Sequence, residues 1–299
     1  MFVLRLNGVT RMRSKTWVMT GILMAGIPWG ATAQPVHADE WSKTYKVSGH
    51  ASLRVDTDDG DVSILSGNPG QIEARVTADG FKIGPGDVRV DEHQEGDNVT
   101  ISVKMPHFNF SFFGGRHRSV HIDVRVPTDL NLDVHTGDGN VNSQPISGDI
   151  RINTGDGHIT VNGLKGSINM RSGDGNIQAS GLDGSLEVDT GDGHVSVDGR
   201  FDSLNLKTGD GNIEARAMNG SKVANSWRLH SGDGHINMWL PGDFNANLDA
   251  HTGDGKITLD FPIRVSGSLS HSSIHGTLNN GGGTVSITSG DGSIHLQKL

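Results

Sequence analysis

Eight short turns each place an aspartate between two glycines, and these carboxylates are the first groups in the chain that could do chemistry. The aspartates of the Gly-Asp-Gly turns are Asp138, Asp156, Asp174, Asp192, Asp210, Asp233, Asp254 and Asp291. If the repeats stack at one strand spacing of ~4.8 Å, neighbouring carboxylates repel each other by about 0.9 kcal/mol in water. Calcium would relieve this repulsion, but it needs six to eight oxygen ligands. Ordinary turn chemistry is therefore the main interpretation. The alternative is a calcium site formed by Asp156, Asp174, Asp192 and Asp210.

The residue that follows each of the first six turns alternates between asparagine and histidine. These residues are Asn140, His158, Asn176, His194, Asn212 and His235. Alternate histidines in a stack lie about 9.6 Å apart. That separation is too large for two of them to share one zinc ion, whose bonds to nitrogen are ~2.0 Å long. The alternation therefore indicates spacing between groups that become charged below neutral pH, and a pH response is a hypothesis.

Residues 105–121 combine aromatic and basic side chains. Four of the nine phenylalanines lie there, and two arginines follow a Gly-Gly pair. This pattern predicts a hairpin. The hairpin either caps the open end of the repeat array or binds a protein, a glycan or a membrane surface. The candidate partner-binding residues are Phe108, Phe110, Phe112, Phe113, Arg116 and Arg118.

A repeat of about 18 residues sets the positions of the turn residues. In residues 185–199, apolar residues such as Leu186 and Val188 alternate with polar ones before the turn, and valines alternate after it. Alternation on both sides of the turn predicts two short strands per copy. The glycines are typical of a tight turn with positive φ. A second turn, such as Gly181-Leu-Asp-Gly184, closes each copy, and Asp58-Asp59-Gly60 marks an altered upstream copy.

Two all-β architectures fit this pattern, a parallel β-solenoid with coils of about 18 residues and an antiparallel β-meander. Asp-Gly between apolar runs is typical of hairpins, which favours the meander. A meander, however, would leave its valines on one face that nothing in this helix-poor sequence covers, whereas a solenoid folds the two strands of each coil onto each other. Burial therefore favours the solenoid. The predicted divisions are a signal peptide at 1–33, an N-terminal β cap region with the aromatic hairpin at 34–126, and a repeat array with degenerate C-terminal coils at 127–299.

The N-terminus is typical of a secretory signal. Four basic residues precede an uncharged run over 16–30 and the small residues Ala31-Thr32-Ala33. The run is shorter than the ~20 residues of a membrane-spanning helix, so we expect cleavage and no transmembrane span in the mature chain.

Loss of the four basic residues changes the formal charge from −9 to −13, which argues against nucleic acid as a partner. The chain has no cysteine, which excludes disulfides and thiol nucleophiles.

Several landmarks occur in a fixed order along residues 45–299. They are Val126-Pro127, the recurrent Thr-Gly-Asp-Gly-x-Ile/Val turns, Leu240-Pro241 and the glycine-rich ending over 281–294. With these landmarks the chain resembles the bacterial putative-adhesin family of exported β-strand-repeat proteins, a domain of unknown function. The resemblance implies an exported, β-rich module in the periplasm or at the cell surface. It implies no catalytic residues.

Together these observations predict a non-enzymatic exported cell-envelope protein, periplasmic or extracellular. It would act as an adhesin-like binding or scaffold module for an envelope or surface component, either protein or glycan. One alternative is a β-helical polysaccharide-active enzyme, and another is a solenoid that polymerises through exposed strand edges. Catalysis needs groups that break the repeat, whereas the acidic residues here recur with it. The sequence shows no nucleophile elbow, zinc signature or phosphate loop, and it predicts no cofactor apart from the calcium alternative.

Overall fold

Alternating small aliphatic and polar residues make strands along the repeat array. The computed structural model describes residues 38–106, 118–266 and 270–299. All the regular secondary structure within these ranges is β-strand. The signal peptide predicted at 1–33 lies outside the described residues. Val36–Leu299 forms one compact unit. Within the described ranges, no helix is long and apolar enough to cross a membrane.

The described residues form 23 strands, numbered in chain order. Those of the N-terminal half are β1 (Asp39–Lys46), β2 (Ala51–Thr57), β3 (Asp61–Ser66), β4 (Gln71–Asp79), β5 (Arg89–Glu95), β6 (Asn98–Lys104), β7 (Ser119–Val126), β8 (Leu130–Thr136), β9 (Val141–Ser143), β10 (Ser147–Thr154), β11 (Ile159–Asn162) and β12 (Lys165–Ser172). Those of the C-terminal half are β13 (Ile177–Thr190), β14 (Val195–Thr208), β15 (Ile213–Ala217), β16 (Ser226–Ser231), β17 (Ile236–Leu240), β18 (Ala246–Thr252), β19 (Ile257–Leu259), β20 (Ile263–Val265), β21 (Ser273–Leu278), β22 (Thr284–Ser289) and β23 (Ile294–Lys298).

The strands form two rows, which we name by their position relative to the Gly-Asp-Gly turns. The pre-turn sheet runs β5, β6, β2, β8, β10, β12, the second halves of β13 and β14, β16, β22, β18, β21 and β20. The post-turn sheet runs β1, β4, β7, β3, β9, β11, the first halves of β13 and β14, β15, β17, β23 and β19. Each turn joins a strand of one sheet to a strand of the other.

Neighbouring coils pair in parallel through the centre of the array. Ile150 aligns with Ile168, Ile168 with Leu186, and Leu186 with Leu204, so successive partners are 18 residues apart. This pairing confirms the mostly parallel, solenoid-like architecture and shows that the antiparallel meander is wrong. The Asp-Gly pairs do not close hairpins, because the strands they join belong to different sheets.

The core is a thin aliphatic layer between the two sheets, formed by the inward residue of every alternating pair. Leu164 and Leu182, from the second turn of two successive coils, are buried at a corner of this layer. In the next coil Phe201 is buried near the same corner. Its ring contacts Trp227 edge to face, with centroids 6.3 Å apart. Each fully buried aliphatic or aromatic side chain contributes about 1.5–3 kcal/mol to folding.

The order of the coils in space differs from their order in sequence at both ends. The coil of β22 and β23 lies between the coil of β16 and β17 and the coil of β18 and β19. The 37-residue step between the last two turns arises because the chain first forms β20 and β21 and then returns. At the other end, β2 and β3 lie between the β6/β7 and β8/β9 coils.

Candidate functional site

The turns stack along one edge of the solenoid, which we call the turn edge: Thr57–Gly60 and the eight Gly-Asp-Gly turns, each with the Thr or Ser before it. Backbone hydrogen bonds connect each turn to the next. The N–H of Gly155 donates to the carbonyl of Gly137, and the N–H of Gly173 donates to the carbonyl of Gly155. The same bond recurs at each later turn of the stack. The turn edge is therefore a continuous hydrogen-bonded column.

The turn glycines are required by close stacking, and the expected positive φ is wrong for them. None of the Gly-Asp-Gly glycines is among the residues with positive φ. A Cβ on Gly155 would lie 2.6 Å from the carbonyl oxygen of Gly137, and one on Gly175 would overlap the carbonyl oxygen of Gly157. Only glycine allows two backbones to approach this closely. Positive φ occurs instead in the second turn, as at Gly181 with φ 63°.

A buried column of hydroxyl groups locks each turn to its neighbour. Thr208 is fully buried; its Oγ1 donates to the carbonyl of Gly193 at 2.9 Å and accepts from the N–H of Gly211 at 3.2 Å. The bond to the neighbouring coil is repeated by Thr136, Thr154, Ser172, Thr190, Ser231, Ser289 and Thr252. Thr57 is the exception, since its buried Oγ1 has no hydrogen-bond partner among the described residues.

The turn aspartates point into solvent. Asp156, Asp174, Asp192 and Asp210 are all exposed. Across residues 38–106, 118–266 and 270–299, no three His, Asp or Glu side chains come together in a way that could hold a metal ion. The turn-chemistry interpretation agrees with these positions, and the calcium site stays a prediction.

The aromatic and basic residues of the predicted hairpin lie mostly outside the described residues. This applies to Phe108, Phe110, Phe112, Phe113 and Arg116. Arg118 is described and exposed, and its guanidinium carbon lies 5.2 Å from the ring centroid of Phe81. A partner-binding role for this segment stays a prediction.

A pocket next to the start of this segment contains several charged groups. Its volume is about 640 Å³, and its lining includes Asp56, Asp58 and His135. The ammonium group of Lys104 lies within it, 2.8 Å from Asp56 and 3.2 Å from Asp58. Hydrogen bonding to Asp56 raises the pKa of Lys104. The chain itself thus supplies the cation that these carboxylates hold.

The outer face of the pre-turn sheet carries two adjoining depressions, which we together call the pre-turn groove. Their volumes are about 360 and 370 Å³, Asp149 and Arg151 line both of them, and together they cross seven strands from β6 to β14. Two rows of outward side chains line it. One row is Asn98, Ser52, Asn131, Asp149, Ser167, Ser185 and Ser203, and the other is Thr100, Arg54, Asp133, Arg151, Asn169, Glu187 and Asn205.

Two ion pairs hold some of the charges in and beside the pre-turn groove. Arg54 contacts Asp133 at 3.1 Å, and Arg171 contacts Glu187 at 3.2 Å. The other lining side chains are largely hydroxyls and amides, which both donate and accept hydrogen bonds. Sequence reasoning missed this groove. The available signal was the serine that recurs every 18 residues at Ser167, Ser185 and Ser203.

Residues 50–297 match the family described as Toastrack DUF4097. The chain belongs to the Toastrack family. The match extends from the start of β2 into β23, so it includes the turn edge and all of the pre-turn groove. The match agrees with the resemblance drawn from the repeat landmarks, which is to a family of β-strand-repeat proteins with a domain of unknown function.

Solved structures similar to this Toastrack chain include a putative lipid binding protein from Parabacteroides distasonis ATCC 8503, with 14% identity and a TM-score of 0.45 over 86% of this chain and 96% of that one. Another is a putative adhesin from Bacteroides fragilis NCTC 9343, with 11% identity and a TM-score of 0.37 over 87% and 97%. A third is a putative cell adhesion protein from Clostridium sporogenes ATCC 15579, with 10% identity and a TM-score of 0.30 over 88% and 100%. No curated protein matches the chain. Similarity at this level carries no functional conclusion for the Toastrack chain.

Proposed function

We propose that this chain is a non-enzymatic exported cell-envelope protein, periplasmic or extracellular, that acts as an adhesin-like binding or scaffold module. The pre-turn groove is the surface that it offers to an envelope or surface component, protein or glycan. The observation that carries the proposal is the extent of this groove, whose two adjoining depressions are lined by aligned side chains of seven neighbouring strands.

The regularity of the groove suits an extended partner. Strands in a sheet lie ~4.8 Å apart, so a chain lying along the stack meets a new pair of polar side chains at each strand. Ser167, Ser185 and Ser203 are small, which leaves the backbone floor accessible. Because the stacked backbone holds these groups in place, binding requires little ordering of the protein.

The environment of the groove carboxylates argues against polysaccharide cleavage. The carboxylates of its central part are Asp149 and Glu187. Glycoside hydrolysis by two carboxyl groups needs one of them shielded, so that it stays protonated and acts as the general acid. Asp149 is exposed, and Glu187 is 48% exposed and paired with Arg171. Neither carboxyl has the apolar surroundings that this role requires.

The ends of the stack argue against polymerisation. The outermost pre-turn strand at one end is β5, an antiparallel strand with exposed charged residues from Asp91 to Glu95. At the other end, the outermost strands β19 and β20 have three residues each. Charged or very short edge strands prevent edge-to-edge pairing.

The test measures binding of the purified protein to two probes, envelope polysaccharide freed of protein and envelope protein freed of polysaccharide. The groove variant combines Asn169→Arg with Asn205→Arg, which fills the pre-turn groove. The control combines Gln178→Arg with Ser196→Arg, at exposed positions on the outer face of the post-turn sheet. Both variants add two positive charges.

Binding of one probe that falls at least about tenfold in the groove variant and less than about twofold in the control supports the proposal. The responding probe identifies the partner as glycan or protein. Equal binding by the two variants, or binding to neither probe, overturns the proposal. Release of new sugar reducing ends from the polysaccharide would support the enzyme alternative instead.

A further inference from the structure

The residues that follow the stacked turns form a ladder of hydrogen bonds from backbone to side chain, which we call the Asn/His ladder. Each side chain accepts a hydrogen bond from the backbone N–H of the equivalent residue in the next coil. Asn140 Oδ1 accepts from the N–H of His158 at 3.0 Å, and His158 Nδ1 accepts from the N–H of Asn176 at 2.9 Å. Four further bonds of 2.8 to 3.0 Å continue this alternation to Ser293.

The hydrogen bonds of the ladder fit only one protonation state of its three histidine rings. Nδ1 of His158, His194 and His235 accepts a backbone N–H at 2.9, 3.0 and 2.9 Å. A nitrogen that accepts a hydrogen bond carries no proton, so the ring that fits is neutral, with its hydrogen on Nε2. A protonated ring has no acceptor nitrogen. Its Nδ1–H would face the backbone N–H of the next coil, and both donors would lose their partner.

We infer that the Asn/His ladder is a pH-sensitive seam: protonation of its three histidines removes three of the bonds that hold successive coils together, and the stack loosens. This inference goes beyond the proposed binding function. Because the native stack accommodates neutral rings, the unfolded chain binds more protons, and stability falls as the pH falls. The loss begins as the pH falls below about 6.5, where an imidazole in water gains its proton.

Carboxylates at the same edge oppose this loss of stability, because a nearby carboxylate favours a protonated ring. The charged groups near the ladder include the turn aspartates two residues before each histidine, Asp156, Asp192 and Asp233, with the equivalent aspartates of adjoining coils. Glu214 and His295 lie on the neighbouring outward column of the post-turn sheet. Asp61 and Lys256 stand at the two ends of the ladder. The turn aspartates and Glu214 are exposed and therefore screened by water and salt, whereas the Nδ1 contacts are direct.

Other histidines contact carboxylates, with which only a protonated ring forms an ion pair. The pairs are His50 with Asp129 at 3.3 Å, His121 with Asp61 at 3.4 Å and His275 with Asp249 at 2.9 Å. The pH dependence of the whole protein is therefore a sum of opposing contributions. The contribution of the ladder must be measured as a difference between variants.

The variant pair compares three ladder histidines with three others. The ladder variant carries His158→Asn, His194→Asn and His235→Asn. It keeps an acceptor at every rung, because asparagine already occupies the alternate positions. The control variant carries His135→Asn, His230→Asn and His251→Asn, at three positions of the pre-turn sheet. Within the described ranges, the rings of these three histidines form no hydrogen bond or ion pair. Each variant removes three titratable rings.

Thermal unfolding at pH 7.5 and pH 5.0 measures the difference. We expect the ladder variant to lose about 5 °C less in Tm on acidification than the control variant does. An equal change in Tm for the two variants overturns the inference. Failure of the ladder variant to fold at pH 7.5 also overturns it, because asparagine would then not replace the bond that the histidine makes.

Hydrogen exchange of the unmodified protein provides a second test with internal controls. The amides of Asn176, Asn212 and Ser293 donate to histidine rings, whereas the amides of His158, His194 and His235 donate to asparagine side chains. Between pH 7.5 and pH 5.0, we expect the protection factors of the first group to fall about tenfold more than those of the second. Equal changes in the two groups overturn the inference.

Discussion

The coils between residues 130 and 240 and the coils at the two ends are built from the same repeat but assembled differently. Within this central range, copies that are consecutive in sequence are also neighbours in the stack. At the ends, the β2/β3 coil and the β22/β23 coil lie between copies that are not both their sequence neighbours. The repeat therefore specifies how two coils pack, and it leaves open which two coils meet.

The turn edge shows the physical result of this difference. Thr208 in the centre bonds both to the neighbouring turn and to its own turn, while Thr57 at the N-terminal end has no partner among the residues described. The coil beyond Thr57 is formed by β6 and β7, and the sequence between these two strands contains no Gly-Asp-Gly. Substitutions at equivalent positions should therefore have unequal effects in the two regions.

The largest effect is expected for Gly175→Ala in the centre. The added Cβ overlaps the backbone carbonyl of Gly157, so two coils must move apart and their hydrogen bonds must break. We expect a loss of more than about 4 kcal/mol in the free energy of unfolding, or no folding, measured by urea denaturation. Gly242→Ala is the control, because its Cβ meets only the flexible end of Lys298. Equal losses for the two glycines would contradict the close-stacking explanation.

The second effect concerns the irregular 23-residue step within the array. Trp227 is fully buried between Phe201 and Phe244, whose ring centroids lie 6.3 and 5.1 Å away. Trp227→Ala should reduce the free energy of unfolding by about 3–5 kcal/mol. Trp239 lies partly exposed in the same coil, 4.7 Å below the guanidinium of Arg216, so Trp239→Ala should cost only about 1 kcal/mol. Thermal unfolding of both variants measures the two losses of stability. A larger loss for Trp239→Ala than for Trp227→Ala would contradict the prediction.

A third pair compares the centre with the end directly. Thr208→Val removes a buried hydroxyl and leaves the N–H of Gly211 without its partner, which should cost about 1–3 kcal/mol. Thr57→Val removes a hydroxyl that has no partner within the described ranges, so its effect should be neutral or stabilising. Urea denaturation measures both. A destabilising Thr57→Val would mean that this hydroxyl has a partner in the folded protein.

The smallest effect is expected for the partly exposed ion pairs. Arg200 hydrogen-bonds Asp202 and so lowers the pKa of that carboxyl. The stability that Asp202 contributes is present above the ordinary aspartate pKa of about 3.9 and disappears as the pH falls through its lower folded value. Asp202→Asn should cost less than about 1 kcal/mol at pH 7, and this cost should disappear as the pH falls below the lowered pKa of the folded carboxyl. A cost that persists in acid would show that packing, and not charge, explains the loss.

Alternation of residues such as Leu186 and Val188 was sufficient to predict two strands per copy, and the burial of these side chains selected the parallel stack. The exposed turn aspartates and the buried corner leucines also follow from the pattern. The conformation of the turn glycines could not be deduced from one copy, because the constraint comes from the carbonyl group of the adjoining coil. The order of the end coils in the stack could not be deduced from the sequence either, because copies with similar sequences can pair with any neighbouring copy.

The candidate surfaces were harder to predict than the fold. The hydroxyl column was visible as the Thr or Ser before every turn, but its role depends on a partner about 15 residues away in the preceding coil. Ser167 and Ser185 are ordinary solvent-facing residues of a strand when considered singly. They line a groove only because the stack aligns them. The Asn/His alternation was recognised in the sequence, and the structure supplied the hydrogen bonds that explain it.

The position of the β22/β23 coil has a consequence for how this protein is made. During synthesis residues 284–298 emerge after both of the coils that flank them in the stack, yet they occupy the rung between those coils. Until this segment arrives, β16 and β18 each lack a parallel neighbour on that side. A chain that ends before residue 284 is therefore not a shorter solenoid but one with a missing rung, so the coils on either side of that rung cannot complete their pairing until residues 284–298 have been made.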